Sequence, residues 1–328
     1  MKAMLLESFG GKPDFRPAEI AKPEVKPGHV LIRVHATSVN PVDIKIRKLR
    51  PAFAPALPAI LGMDVAGVVE ETGLGVSDFI PGDEVFGCAG GLADMPGALA
   101  EYMMADARLI ARKPPALTME QAAALPLVTI TAWEALFDRA RIQPGQHVLI
   151  HAGAGGVGHV AVQLAKAHGA KVAATVSSRT KADIALSLGA DEVINYREEP
   201  VEDYVKRLTG VRGFDAVFDT VGGKTLDDSF AACVIKGAVV STNTRSTHDL
   251  SNMHAKGLTL SVVFMLLPLI TGRGRERHGE ILTLASVLAS QGKLRPLMDR
   301  TFALGEIAAA HDYLDGGNAV GKVTVRID

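Results

Sequence analysis

The chain has 328 residues, nearly half of them apolar, and its 35 Lys and Arg almost balance its 36 Asp and Glu, leaving a formal net charge of −1. That length accommodates two domains with separate cores, and the balance of charge gives no electrostatic basis for binding nucleic acid or an anionic membrane. The opening MKAMLLESFG lacks the apolar core of a signal peptide, and the longest apolar run, 258–270, is too short to span a bilayer and contains Pro268. Cys88 and Cys233 lie far apart, which predicts free thiols in a reducing cytoplasm rather than a disulfide framework.

In chain order, the turn signal Lys26-Pro27-Gly28 precedes a predicted strand over 30–36 (VLIRVHA). A second strand is predicted over 65–69, and Pro81-Gly82 reads as a turn leading into a third at 83–86. Short strands at this spacing predict a compact, partly barrel-like sheet over residues 1–120. From Met119 the pattern changes: 119–125 and 131–139 read as helical, and strands then alternate with helices. Strands are expected at 148–150, 171–176, 215–219 and 238–242, and repeated βα units imply a parallel sheet with helices on both faces. A helix over 279–289 and a strand over 321–327 close the chain. A nucleotide-type domain is therefore expected to be inserted between an N-terminal domain and a short C-terminal return.

The segment 147–166, HVLIHAGAGGVGHVAVQLAK, carries the most chemistry. An aliphatic strand ends in Gly153, Gly155, Gly156, Val157 and Gly158, and an amphipathic helix follows at once. Strand, glycine turn and helix is the context a dinucleotide pyrophosphate requires: the glycines allow close backbone approach, and the helix N-terminus offers N–H groups and a partial positive charge. The end of the next strand selects the cofactor. An NAD site places Asp or Glu there, on the ribose 2′-hydroxyl; here stand Ser177, Ser178, Arg179 and Lys181, and the first carboxylate is Asp183. Two hydroxyls and two cations suit a 2′-phosphate, so NADP(H) is the expected cofactor.

Several segments together resemble the medium-chain dehydrogenase/reductase superfamily, and within it the zinc-independent quinone oxidoreductase branch of zeta-crystallin relatives. They are Asn40-Pro41-Val42-Asp43, residues 62–67 (GMDVAG), 81–85 (PGDEV), 97–102 (GALAEY), 123–133, the glycine motif, 194–197 (INYR) and 218–222 (FDTVG). The resemblance implies a doubly wound Rossmann domain at 121–267 and a β-rich, GroES-like catalytic domain at 1–120 and 268–328. Zinc alcohol dehydrogenases of the superfamily carry a Cys after the early strand, a Gly-His-Glu further on, and a lobe with four cysteines. Here those places read Val39-Asn40-Pro41 and Gly62-Met63-Asp64, and the chain holds only two cysteines. Convergence of Cys88, His35 and Asp64 on a metal is not expected, since zinc needs three or four ligands at one point.

Without a Lewis acid the substrate should accept hydride readily, as quinones and α,β-unsaturated carbonyls do. The expected activity is NADPH-dependent reduction of a quinone or activated carbonyl. The alternatives are an enone (C=C) reductase, a zinc alcohol dehydrogenase, or a non-catalytic NADPH- or RNA-binding protein whose only basic cluster is Arg273, Arg275 and Arg277. Candidate catalytic groups are Asn40, as an amide donor to a carbonyl oxygen or a turn residue; Asp43, as a loop anchor or proton relay; and Asp64, where the family's ligand segment falls or as an acceptor for backbone amides. Tyr102 offers a hydroxyl to substrate or packs at a sheet edge. The resemblance further implies Thr131 near the nicotinamide at a helix start and Tyr196 with Arg197 near the ribose phosphate. It places Asn243 near the nicotinamide amide, Lys322 at a phosphate or as a solvated strand lysine, and Phe264 and Met265 by the pocket of a homodimer.

Overall fold

The computed structural model describes residues 1–327, which divide into two compact units. One unit comprises Val128–Met265 and Lys293–Leu297. Its sheet has six parallel strands, in spatial order Glu192–Asn195, Lys171–Val176, His147–Ile150, Phe214–Asp219, Cys233–Ser241 and Thr259–Val262. Numbered along the chain that order is 3-2-1-4-5-6, the doubly wound dinucleotide-binding arrangement. The strands are near-continuous aliphatic runs because helices connect them and cover the sheet, among them Gly158–Ala167, Arg179–Ser187, Val201–Thr209 and Lys224–Ala232. Leu149, Val217, Phe214, Phe230 and Tyr204 pack in the core of this unit, and each such buried side chain contributes roughly 1.5–3 kcal/mol.

The other unit comprises Met1–Leu127, Leu266–Gly292 and the chain from Met298 onward. Its centre is the long strand His29–Val39, which pairs along one edge with Asp64–Thr72. Along the other edge its first half pairs with Tyr102–Asp106 and its last residues with Lys322–Arg326. Glu84–Cys88, Ile110–Arg112 and Met298–Ala303 complete a seven-stranded sheet. Register shifts in the central pairing, between Leu31 and Ile32 and between Val34 and Ala36, bend the sheet. A smaller sheet joins Phe15–Glu19, Lys2–Leu6 and Ala59–Ile60.

Two local features depart from the expectations. Asn40 and Pro41 open a helix, Pro41–Leu49, rather than a turn: Asn40 is its N-cap and Pro41 its first residue, where a missing N–H costs nothing. The helix predicted at 131–139 starts earlier, at Pro126, and widens into a π-helical stretch over Glu134–Arg139. Thr131 is thus a buried residue inside the helix Pro126–Trp133 and neither starts nor caps it. Among the described residues no helix is long and apolar enough to cross a membrane.

Candidate active site

In the β-rich unit, the end of the central strand, the start of helix Pro41–Leu49, the start of strand Asp64–Thr72 and the start of strand Lys322–Arg326 bring Ser38, Asn40, Asp43, Asp64 and Lys322 together. All five are almost fully buried. Asp64 is the hub. Its Oδ2 accepts hydrogen bonds from Ser38 Oγ (2.5 Å) and Asn40 Nδ2 (2.8 Å), and its Oδ1 accepts from the Leu127 N–H (2.8 Å). Lys322 Nζ donates to Asn40 Oδ1 and lies 3.7 Å from Asp64 Oδ2. Both ends of the Asn40 amide are therefore committed inside the protein, and Lys322 is an internal cation rather than a solvated strand lysine.

Asp43 closes the cap of its helix: its Oδ2 accepts the Asn40 N–H at 2.8 Å, while Oδ1 has no partner. Burial, reinforced by the nearby Asp64, pushes its carboxyl up to about 7. Burial likewise lowers the Lys322 ammonium, with Asp64 and Asp43 acting in the opposite sense, and raises the thiol of Cys88, which faces Asp64 across the strand pair. This donor set does not fit a zinc ion. Met63 and Asn40 stand where the zinc enzymes carry ligands, the Lys322 ammonium is paired with Asp64, and no three His, Cys, Asp or Glu side chains converge among the described residues. Tyr102 lies apart, half-buried on its strand with Lys22 Nζ 4.1 Å from the ring centroid.

In the parallel-sheet unit, the strand His147–Ile150 runs into the glycine turn and helix Gly158–Ala167. The turn is built for close backbone approach. A Cβ on Gly158 would lie 2.0 Å from the Ala152 carbonyl oxygen, and one on Gly153 would lie 2.6 Å from the Ala174 methyl. The N–H groups of Gly156 and Val157 make no hydrogen bond to described residues, so this end of the sheet offers donors to an anion. At the end of the neighbouring strand, Ser178 caps the helix Arg179–Ser187 by accepting from the Lys181 N–H. Arg179 projects from that cap with its side chain 92% exposed, in contact with Asp183 at 3.4 Å. A pyrophosphate and a 2′-phosphate both find suitable groups here. Tyr196 is exposed beyond the strand Glu192–Asn195. Phe264 is half-buried and Met265 buried, just past the edge strand Thr259–Val262.

Sequence reasoning missed Asp219. Fully buried at the end of its strand, it accepts hydrogen bonds from the N–H groups of Val221 (2.9 Å) and Gly222 (2.8 Å) and from Ser241 Oγ (2.7 Å). Ser241 Oγ in turn accepts from the Asn243 N–H, and Asn243 Nδ2 donates to the Val221 carbonyl. Thr220 Oγ1 donates to the His151 carbonyl, and His151, its imidazole lowered to about 4 by burial, shares Thr175 Oγ1 with the Ala152 N–H. One network thus ties together four strand ends at the edge where open α/β sheets bind ligands. Gly222 has φ +83°, and a Cβ there would meet Asn243 at 2.4 Å. The FDTVG motif marks the segment, but the pairing of Asp219 with Ser241 depends on the strand register.

Comparison with known proteins identifies the two domains that carry these residues. Residues 26–115 match the family described as the alcohol dehydrogenase GroES-like domain, and residues 156–272 match that described as zinc-binding dehydrogenase. The chain is 31% identical to quinone oxidoreductase of Homo sapiens, over 98% of this chain and 97% of that protein. The chain belongs to the medium-chain dehydrogenase/reductase superfamily, in its quinone oxidoreductase branch. Among plant members it is 34% identical to the NADPH-dependent alkenal/one oxidoreductase of Arabidopsis thaliana, over 99% of this chain and 79% of that protein. Among solved structures of the superfamily, a protein from Novosphingobium aromaticivorans has a TM-score of 0.95 at 44% identity, with both chains covered in full. Escherichia coli quinone oxidoreductase complexed with NADPH has a TM-score of 0.88 at 28% identity, again with both chains covered in full. The protein is an oxidoreductase with a Rossmann domain and a GroES-like domain.

Proposed function

We propose that the protein is a zinc-independent, NADPH-dependent reductase of quinones. The observation that carries the metal-free reading is the pairing of Lys322 with Asn40 and Asp64 where zinc relatives bind their ion. The cofactor is NADP(H), which supplies the hydride. The backbone of Gly153, Gly155, Gly156, Val157 and Gly158 would hold its pyrophosphate, and Ser177, Ser178, Arg179 and Lys181 its 2′-phosphate, with Tyr196 beside the ribose. Thr131 and Asn243 would border the nicotinamide. Asn40, Asp43 and Asp64 act by fixing the backbone of the catalytic domain, since each is buried and hydrogen-bonded within the protein. Tyr102, Phe264 and Met265 remain the proposed substrate contacts. The proposed division is catalytic domain at 1–120 and 268–328, nucleotide domain at 121–267.

The second reading is reduction of the C=C bond of an enone, which the similarity to the plant alkenal/one oxidoreductase favours. NADPH oxidation with a quinone, an enal and a simple ketone in parallel tests both: turnover of the ketone alone would refute them. We also infer a homodimer formed through the edge strand Thr259–Val262, whose Val262 is 47% exposed; a monomer at micromolar concentration in light scattering would refute it. The two buried free thiols, Cys88 and Cys233, support a cytoplasmic setting. Arg275 is spent on Asp106 (2.9 Å) and on the Leu269 carbonyl, which removes it from any RNA-binding cluster and supports a protein without nucleic-acid partners.

A further inference from the structure

The loop that follows strand Cys233–Ser241 carries a second constellation that hydride transfer does not use. Ser246 Oγ lies 2.6 Å from His248 Nε2, and His248 Nδ1 lies 2.8 Å from Asp227 Oδ1, on helix Lys224–Ala232. The imidazole is held in place, its side chain only 8% exposed, while Ser246 is open to solvent. An ionised carboxylate only accepts hydrogen bonds, so the partner of Asp227 must be a protonated Nδ1. In the neutral imidazole, Nε2 is then the acceptor of the Ser246 hydroxyl proton. A nucleophile in hydrogen-bond reach of a base that a third group orients is the geometry of activated hydroxyl chemistry.

We propose that Ser246, with His248 as base and Asp227 as its orienting group, accepts acyl groups from activated esters and releases them to water. In the first step the Ser246 Oγ–acyl carbon bond forms and the bond from that carbon to the leaving-group oxygen breaks, while the serine proton passes through His248 Nε2 to the leaving alkoxide or phenoxide. In the second step water attacks the acyl carbon, His248 takes its proton, and Ser246 recovers a proton as the carboxylic acid departs. The sum is ester plus water giving acid plus alcohol, with no redox change. The exposed position of Ser246 on a surface loop suits small acyl donors with a good leaving group, aryl esters first among them.

The test uses the full-length protein with NADPH present and p-nitrophenyl acetate as the probe. Release of p-nitrophenol and the position of any acetyl group, mapped by mass spectrometry, are compared among wild type, Ser246→Ala and His248→Gln. The proposal expects acetyl on Ser246 at early times and a drop of at least about tenfold in release for both variants, since base catalysis contributes about 10²–10⁴-fold. Unchanged quinone-dependent NADPH oxidation in the variants shows that they are folded. Release at the wild-type rate in either variant, or acetyl groups found only on lysines, overturns it.

Discussion

Replacing Asp64 or Lys322 tests the buried cluster most sharply. Asp64→Asn keeps the shape but leaves the Lys322 ammonium without its carboxylate in a fully buried site, and turns an amide N–H₂ toward Ser38, Asn40 or the Leu127 N–H, all of which now donate to Asp64. Breaking one partner of a buried ion pair costs roughly 3–5 kcal/mol. Lys322→Met removes the cation and leaves the Asp64 charge with three hydrogen bonds, so its cost belongs at the lower end of that range. The double variant carries neither orphaned charge. It should lose less than the sum of the two single variants by about 2 kcal/mol or more, the coupling expected of residues in one hydrogen-bonded network. Urea titrations followed by circular dichroism measure all four corners of the cycle, with unchanged slopes establishing that midpoints report stability. Additive single costs would show that Lys322 and Asp64 do not act as a pair, and the argument for an internal cation in place of a metal would fall.

The other predictions concern pH and the cofactor. The Asp43 carboxyl, at 3.8 in the open chain and about 7 when buried, binds a proton in the folded state that the unfolded chain has released. Stability should therefore fall as pH rises from about 4 to about 7, by at most about 4 kcal/mol at 1.36 kcal/mol per unit. Asp43→Asn should flatten that slope in chemical denaturation; an unchanged slope refutes the assignment. Arg179→Ala should weaken NADPH binding by roughly 1–2 kcal/mol while leaving NADH nearly unchanged, because only NADPH carries the 2′-phosphate; equal losses in calorimetric titrations would rule out Arg179 as the phosphate reader. Asp219→Ala should raise the KM for NADPH at least about tenfold, since two backbone N–H groups and the Ser241 hydroxyl lose their common acceptor, each worth about 1 kcal/mol. A wild-type KM would remove Asp219 from the positioning network.

Local patterns in the sequence were enough to read the nucleotide-binding half. The strand Lys171–Val176 lies where its β-branched run predicts, and the glycine turn joins a strand to a helix as its flanks require. These elements obey short-range rules: periodicity, glycine at close approach, a serine cap. The helix Pro41–Leu49 was legible too, in the Asn-Pro-Val-Asp order of cap, first-turn proline and acidic residue three positions on, but reading Asn40 as a turn residue hides it. The cluster chemistry was not legible. Lys322 meets Asn40 across 282 residues because the last strand docks antiparallel on the end of the central one. Asp219 reaches Ser241 only through the register of two parallel strands. Thr131 is a different case: its helix begins at Pro126, and a proline at the first helical position is a start signal that the sequence did carry.

The proposed reductase would work without zinc, with Lys322 paired to Asn40 and Asp64 where zinc relatives bind their ion. The most direct measurement is NADPH-dependent turnover of a quinone by protein stripped exhaustively with a chelator, its metal content quantified, before and after zinc is added back. The account predicts full turnover in the stripped protein and no gain from zinc. Loss of turnover on stripping, with recovery on adding zinc, would contradict it.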